Sequence, residues 1–176
     1  MKIAEPAAAA AAILASLCGE RIASIRYREI KYDDGKPRYV AADHHSLDYG
    51  LELHLESGRV VSFIWQWPVS FYLAIVSGDL SAEVTGEHAC WDASATAPWP
   101  TLLHRPLGAA RLAWFHDDAT NGDYSLSVRL GIAPDSVVYV TLGVGDEPDD
   151  HVAVIFSDDL ARRHGRFLAT SGLLDY

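Results

Sequence analysis

The groups in this chain that could do chemistry are eight histidines, twenty-four carboxylates and two cysteines. A helical zinc site needs His-x-x-x-His or His-Glu-x-x-His, because only residues a helical turn apart share a face, and neither pattern occurs. What does occur is a vicinal pair, His44-His45, a His88 two residues before Cys90, a cluster His116-Asp117-Asp118, and Asp150-His151. None of these has a partner at metal-ligand spacing, so no metal or cofactor is expected. The run Asp117 to Asp123 has the look of a calcium loop, but Ala119 stands where a ligand oxygen is required and Val128 where the bidentate glutamate belongs. Nucleophilic signatures are missing: there is no Gly-x-Ser-x-Gly elbow and no Ser-x-x-Lys. Gly143-Val144-Gly145 lacks the third glycine and the following helix of a dinucleotide fingerprint. Adjacent acids such as Asp149-Asp150 read as a solvated turn. The chain is therefore expected not to be an enzyme. Cys18 and Cys90 make no disulfide framework and no Cys-x-x-Cys pair, so buried or idle thiols in a reducing compartment are expected.

The elements that would position these groups follow from hydrophobic period. In 48–55, Tyr49, Leu51, Leu53 and Leu55 alternate with Asp48, Gly50, Glu52 and His54, which predicts an antiparallel strand with one buried and one solvated face. Asp-Tyr-Gly-Leu-Glu-Leu-His-Leu at 48–55 is echoed by Asp-Tyr-Ser-Leu-Ser-Val-Arg-Leu at 123–130. Val60-Val61-Ser62-Phe63 is echoed by Val137-Val138-Tyr139-Val140, and Ser77-Gly78-Asp79-Leu80 by Ser157-Asp158-Asp159-Leu160. These echoes predict an internal duplication over about 19–81 and 108–161 within one domain, 1–176. Further strands are expected at 20–30, 59–67 and 71–76, then around Leu112 and Trp114, along Val138 to Val144, and at 151–156. The turns between them are Ser57-Gly58, Asn121-Gly122 and Ala133-Pro134-Asp135. The polar stretch 31–47 reads as an inserted loop, and 81–106 as a crossover with a helical turn near 99–104. In that crossover Trp91 and Trp99 are assigned to the core in preference to an exposed interface. The tail opens with a helical turn carrying Arg162, Arg163 and Arg166.

Residues 1–18 combine Met-Lys with an alanine run, yet Glu5 and Pro6 interrupt the order of a secretory signal, and Leu17 stands where a lipoprotein box needs a small residue. Pro6 suits the first turn of a helix, alanine is the best helix former, and Gly19 supplies the stop. A retained N-terminal helix and a cytoplasmic location are the expectation. The fold class is thus mainly β (α+β): a duplicated antiparallel meander, its two halves packed as one sheet or a sandwich, with an N-terminal helix.

The net charge of −10 disfavours nucleic acid or an anionic membrane as direct partner. The excess is concentrated between Asp117 and Leu160, where ten carboxylates face a single base, Arg129. That stretch is expected to dock a basic partner through Asp117, Asp118, Asp146, Glu147, Asp149, Asp150, Asp158 and Asp159. In its size, its cytosolic character, its repeated meander and the acidic run Asp146-Glu147-Pro148-Asp149-Asp150 with Asp158-Asp159, the chain resembles the immunity proteins of bacterial toxin–immunity pairs, as in contact-dependent growth inhibition and related secreted-toxin systems. The resemblance implies a cognate toxin domain, often a basic nuclease, blocked by direct occlusion of its active site, with the acids mimicking phosphate and steering association. The competing expectation is a β-sandwich or barrel with an interior pocket for a small ligand, possibly enzymatic.

Overall fold

The computed structural model describes residues 6–32, 39–66, 72–81, 88–119, 122–143, 151–163 and 174–175; the side chains of 6–7, 115–117, 123 and 174–175 fall outside that description. The chain is mainly β. Five strands, β1 (Ile22–Ile30), β3 (Gly50–Leu55), β4 (Val60–Gln66), β5 (Tyr72–Ser77) and β6 (His88–Asp92), form a first sheet in the order β5-β4-β3-β1-β6. Six others, β2 (His44–Leu47), β7 (Leu107–Asp117), β8 (Gly122–Ile132), β9 (Ser136–Leu142), β10 (Val152–Ile155) and β11 (Leu174–Asp175), form a second in the order β11-β7-β8-β9-β10-β2. Every neighbouring pair is antiparallel.

Alternation explains which faces meet. Ile25, Tyr27, Leu51, Leu53, Val61 and Phe63 from the first sheet share one core cluster with Leu112, Val128, Leu130, Val138, Val140 and Val154 from the second. The halves are thus two sheets packed face to face, not one continuous sheet. The helix α1 (Pro6–Ala15) is nearly pure alanine, with no polar stripe to turn outward; it sets Ala10, Ala11 and Leu14 into the core beside β5, β7 and β8. Gly19, at φ +83°, ends the segment, and its amide donates to the Leu107 carbonyl at 2.8 Å, tying it to β7.

The two halves run the same course. Each is a four-strand meander, β1-β3-β4-β5 and β7-β8-β9-β10, followed by a strand that returns to the outer edge of the first. The residue echoes do not share one register, however. Leu53 pairs with Val61, whereas Val128, the counterpart of Leu53, pairs with Val140 and not with Val138, the counterpart of Val61. The common strand order is a shared topology, and a duplicated sequence does not follow from it.

Several expectations need correction. The stretch 31–47 contains β2, which leaves the first sheet to pair with β10 in the second, so the insertion is a sheet-to-sheet crossing. The crossover 81–106 contains β6, paired along β1, while its 3-10 turn at Trp99–Thr101 falls where the helical turn is expected. Tyr49 is half-buried in a satellite cluster with Ile64, Ala74 and Leu80, outside the main core. The supposed solvent face of 48–55 is covered: Glu52 is fully buried, and a Cβ at Gly50 would stand 2.1 Å from the Phe63 carbonyl oxygen, so only glycine fits there. Cys18 and Cys90 are both exposed, not buried. Trp99 is wholly buried and Trp91 packs partly buried against the core, as expected of both. Trp67, Asn121, Val144 and Arg166 lie outside the described residues.

Candidate functional site

The eight acids singled out above do not gather on one face where they are described. Asp117 ends β7 and Asp118 follows it, exposed, at the hairpin end of β7 and β8. Asp158 and Asp159 open α2 (Asp158–Arg163), just past the opposite end of β10, where Ile155 pairs with Tyr139. The eleven residues of β8 lie between these ends, roughly 35 Å at strand rise. Asp146, Glu147, Asp149 and Asp150 lie outside the described residues.

At the α2 end the fold assembles a set of acids that the sequence had not grouped. Asp135 sits in the β8–β9 turn and Asp158 at the start of α2, while Asp43 precedes β2, with its carbonyl accepting the Phe156 amide at 2.9 Å. All three rim one groove of about 470 Å³ whose apolar walls include Pro98, Leu102, Val137 and Phe156. The Tyr139 hydroxyl donates to Asp158 Oδ1 at 2.8 Å. His44, 3.0 Å from Asp43 Oδ1, holds that carboxyl below the usual carboxylate range. A smaller hollow of about 420 Å³ continues past Asp135 and Asp158 to Arg129. Positive charges also stand close by: Arg129 of β8 lines that hollow, and within α2 Arg162 stands 4.0 Å from Asp159. Exposed carboxylates around a mixed polar and apolar lining attract cations at little desolvation cost and offer area for contact.

Three polar clusters lie deeper. On the outer face of the first sheet, Glu52 Oε1 accepts from Arg28 Nε at 2.7 Å and from the Leu80 amide at 2.9 Å, and His54 Nε2 lies 2.9 Å from Oε2. Burial works to raise this carboxyl's pKa; the Leu80 amide, His54 and Arg28 outweigh it and hold the pKa below the ordinary value. Between the sheets, the Trp99 indole donates to the Tyr27 oxygen, and Tyr27 OH lies 2.5 Å from His45 Nδ1. His45 Nε2 lies 3.1 Å from the Ala97 carbonyl, which can only accept, so the proton sits on Nε2 and Tyr27 donates to Nδ1. Burial pushes the His45 pKa down to about 4, keeping the ring neutral.

The third cluster lies where the chain passes from β2 back to β3. Asp48 Oδ2 accepts the Ile30 amide at 3.0 Å and the Tyr32 hydroxyl at 2.9 Å; its own amide donates to Glu29 Oε2 at 3.2 Å, and its carbonyl accepts the Trp65 indole N–H at 2.6 Å. Glu29 is 1 % exposed, and its Oε1 has no hydrogen-bond partner. Burial, then the neighbouring Asp48 carboxyl, push the Glu29 pKa up to about 8. Asp48 lines a cleft of about 470 Å³ with Ile30, Tyr39, Leu47, Tyr49 and Trp65. Asp48 and Glu29 went unrecognised in the sequence, where Asp48 belongs to a strand's polar face and Glu29 to a charged stretch of β1.

Among the described residues no three His, Cys, Asp or Glu side chains are gathered as a metal ion would need, and no described helix is long and apolar enough to cross a membrane. Neither a known protein family, nor a curated protein, nor a solved structure gives a significant match to this chain.

Proposed function

We propose that this protein acts in the cytoplasm by binding, without catalysis of its own, and that its partner is a basic protein domain seated on the acid-rimmed groove at the α2 end of the second sheet. One observation carries the reading: Asp43, Asp135 and Asp158, far apart in sequence, converge on a single groove whose walls mix polar and apolar side chains. The net charge of −10 adds a field that draws a cationic partner. With the resemblance to immunity proteins, the partner becomes a cognate toxin domain, and the mode of action becomes occlusion of its active site.

The test begins with capture of the partner from the native host, followed by association kinetics at low and moderate salt. Replacing Asp43, Asp135 and Asp158 together by Asn is expected to slow association at low salt and flatten its salt dependence, with little change in dissociation. A variant neutralised at Asp146, Glu147, Asp149 and Asp150 is the comparison. If it loses association rate while the groove variant does not, the partner seats on those four acids and not on the groove. If both keep wild-type rates, the acids serve solubility. A second reading, binding of a small ligand, is favoured by the open cleft around Asp48.

A further inference from the structure

We propose that the cleft lined by Ile30, Tyr39, Leu47, Asp48, Tyr49 and Trp65 is a binding site for an organic cation, an alkylammonium or alkylguanidinium group, with the Asp48 carboxylate as its counter-ion. This goes beyond the groove reading, since Asp48 and the groove acids line different cavities.

Size comes first: about 470 Å³ lies within the range of small-molecule sites. Chemistry comes next. Three aromatic side chains, Tyr39, Tyr49 and Trp65, share the lining with one carboxylate, and ring faces and carboxylates both attract cations. Asp48 is held for the task, since the Ile30 amide and the Tyr32 hydroxyl fix its carboxylate and the Trp65 indole N–H fixes its backbone. These contacts leave acceptor positions on the carboxylate unfilled. The surface around the cleft is also unusual. Ile30 and Tyr39 are two of the three exposed large hydrophobics among the described residues, and Val40, the third, adjoins Tyr39. An apolar rim over a single charge suits a ligand with an alkyl or aryl body and a cationic head.

Glu29 supplies an independent sign. Its Oε1 is buried without a partner beside Asp48. A cation placed on Asp48 would stabilise the ionised form of Glu29, so binding should expel a proton from Glu29 near neutral pH. The titratable groups around Glu29 are Asp48, Tyr27 on its own strand and Tyr32 past the strand's end, with His151 on the cleft wall. The two tyrosines keep their protons at neutral pH, since burial raises both.

The experiment titrates the full chain with n-butylguanidinium, n-butylammonium and n-butyrate, followed by amide and indole NMR resonances and by calorimetry in buffers of differing ionisation heat. Both cations should shift the Ile30 and Asp48 amides and the Trp65 indole, and butyrate should not. Asp48→Asn, with an otherwise native spectrum, should weaken cation binding by at least about tenfold. Glu29→Gln should keep cation binding but lose the buffer-dependent heat, a readout that a purely structural Glu29 would not change. Acetyl-Gly-Arg-Gly-amide separates the sources: tighter binding than butylguanidinium assigns the site to a partner's side chain, and equal binding to a free small molecule. Butyrate binding as well as the cations, cleft resonances unmoved by any cation, or binding indifferent to Asp48→Asn would each overturn the proposal.

Discussion

Glu29 and Glu52 lie on neighbouring strands of one sheet, both buried to within 1 % of full enclosure, yet their electrostatics are opposite. Glu52 receives Arg28, the Leu80 amide and His54, and its pKa is lowered. Glu29 receives one long backbone bond and the company of another acid, and its pKa rises to about 8. Burial by itself does not set the charge of a group; the donors that arrive with burial do. The first residue is a structural tie that fastens the 77–81 segment over the sheet. The second keeps its proton near neutral pH, beside Asp48 and the cleft that Asp48 lines.

The largest expected effect breaks the tie. Arg28→Met removes the permanent cation from buried Glu52, leaving only the Leu80 amide and His54, and should cost roughly 3–5 kcal/mol in urea unfolding. The double variant Arg28→Met/Glu52→Gln should be more stable than Arg28→Met alone, because it removes the stranded charge while Gln still accepts the Leu80 amide. A single variant of near wild-type stability would show that Glu52 is not held as described. Truncation on the other face of the same strand, Leu53→Ala, sets the scale at roughly 2–5 kcal/mol, since Leu53 is fully buried in the core.

The pH dependence of stability sharpens the contrast. Glu29 keeps its proton up to about pH 8 in the folded chain but loses it near 4.5 when unfolded. The native state then binds the extra proton in that window, so stability falls as pH rises, by up to about 1.4 kcal/mol per unit. His45 works the other way: with its pKa lowered from 6.5 to about 4, it costs stability as pH falls below 6.5. Between pH 6.5 and 8 the Glu29 slope stands without that opposition, and Glu29→Gln should flatten it in denaturation midpoints measured across the range. A wild-type midpoint independent of pH there would place Glu29 among ordinary ionised carboxylates. The smallest effect belongs to the exposed acids. Replacing Asp43, Asp135 and Asp158 by Asn should leave the unfolding midpoint unchanged, because solvated carboxylates add little to stability.

Local pattern determined a good part of this molecule. The period-two alternation of Leu51, Leu53 and Leu55, and of Tyr124, Leu126, Val128 and Leu130, marks strands, because successive side chains leave a strand on opposite faces. Gly58 allows the turn into β4 at φ +83°, and the alanine run has the propensity for a helix, which packing of Ala10, Ala11 and Leu14 into the core then holds. Tertiary structure decided the rest. His44-His45-Ser46-Leu47 carries no strand signal and becomes β2 because the edge of β10 offers unpaired backbone groups. Alternation assigns Glu52 to water, but a chain segment 28 residues away brings the Leu80 amide onto it. Of the acids read as one charged stretch, the described pairs Asp117-Asp118 and Asp158-Asp159 are divided between the ends of the second sheet, since each antiparallel reversal sends successive loops to opposite ends. The same reversals bring Asp43, Asp135 and Asp158 to a single groove, and the crossing from β2 to β3 sets Asp48 beside Glu29. A residue's neighbours in sequence fix its face on a strand; what covers that face arrives from elsewhere in the chain, and no local pattern carries that information.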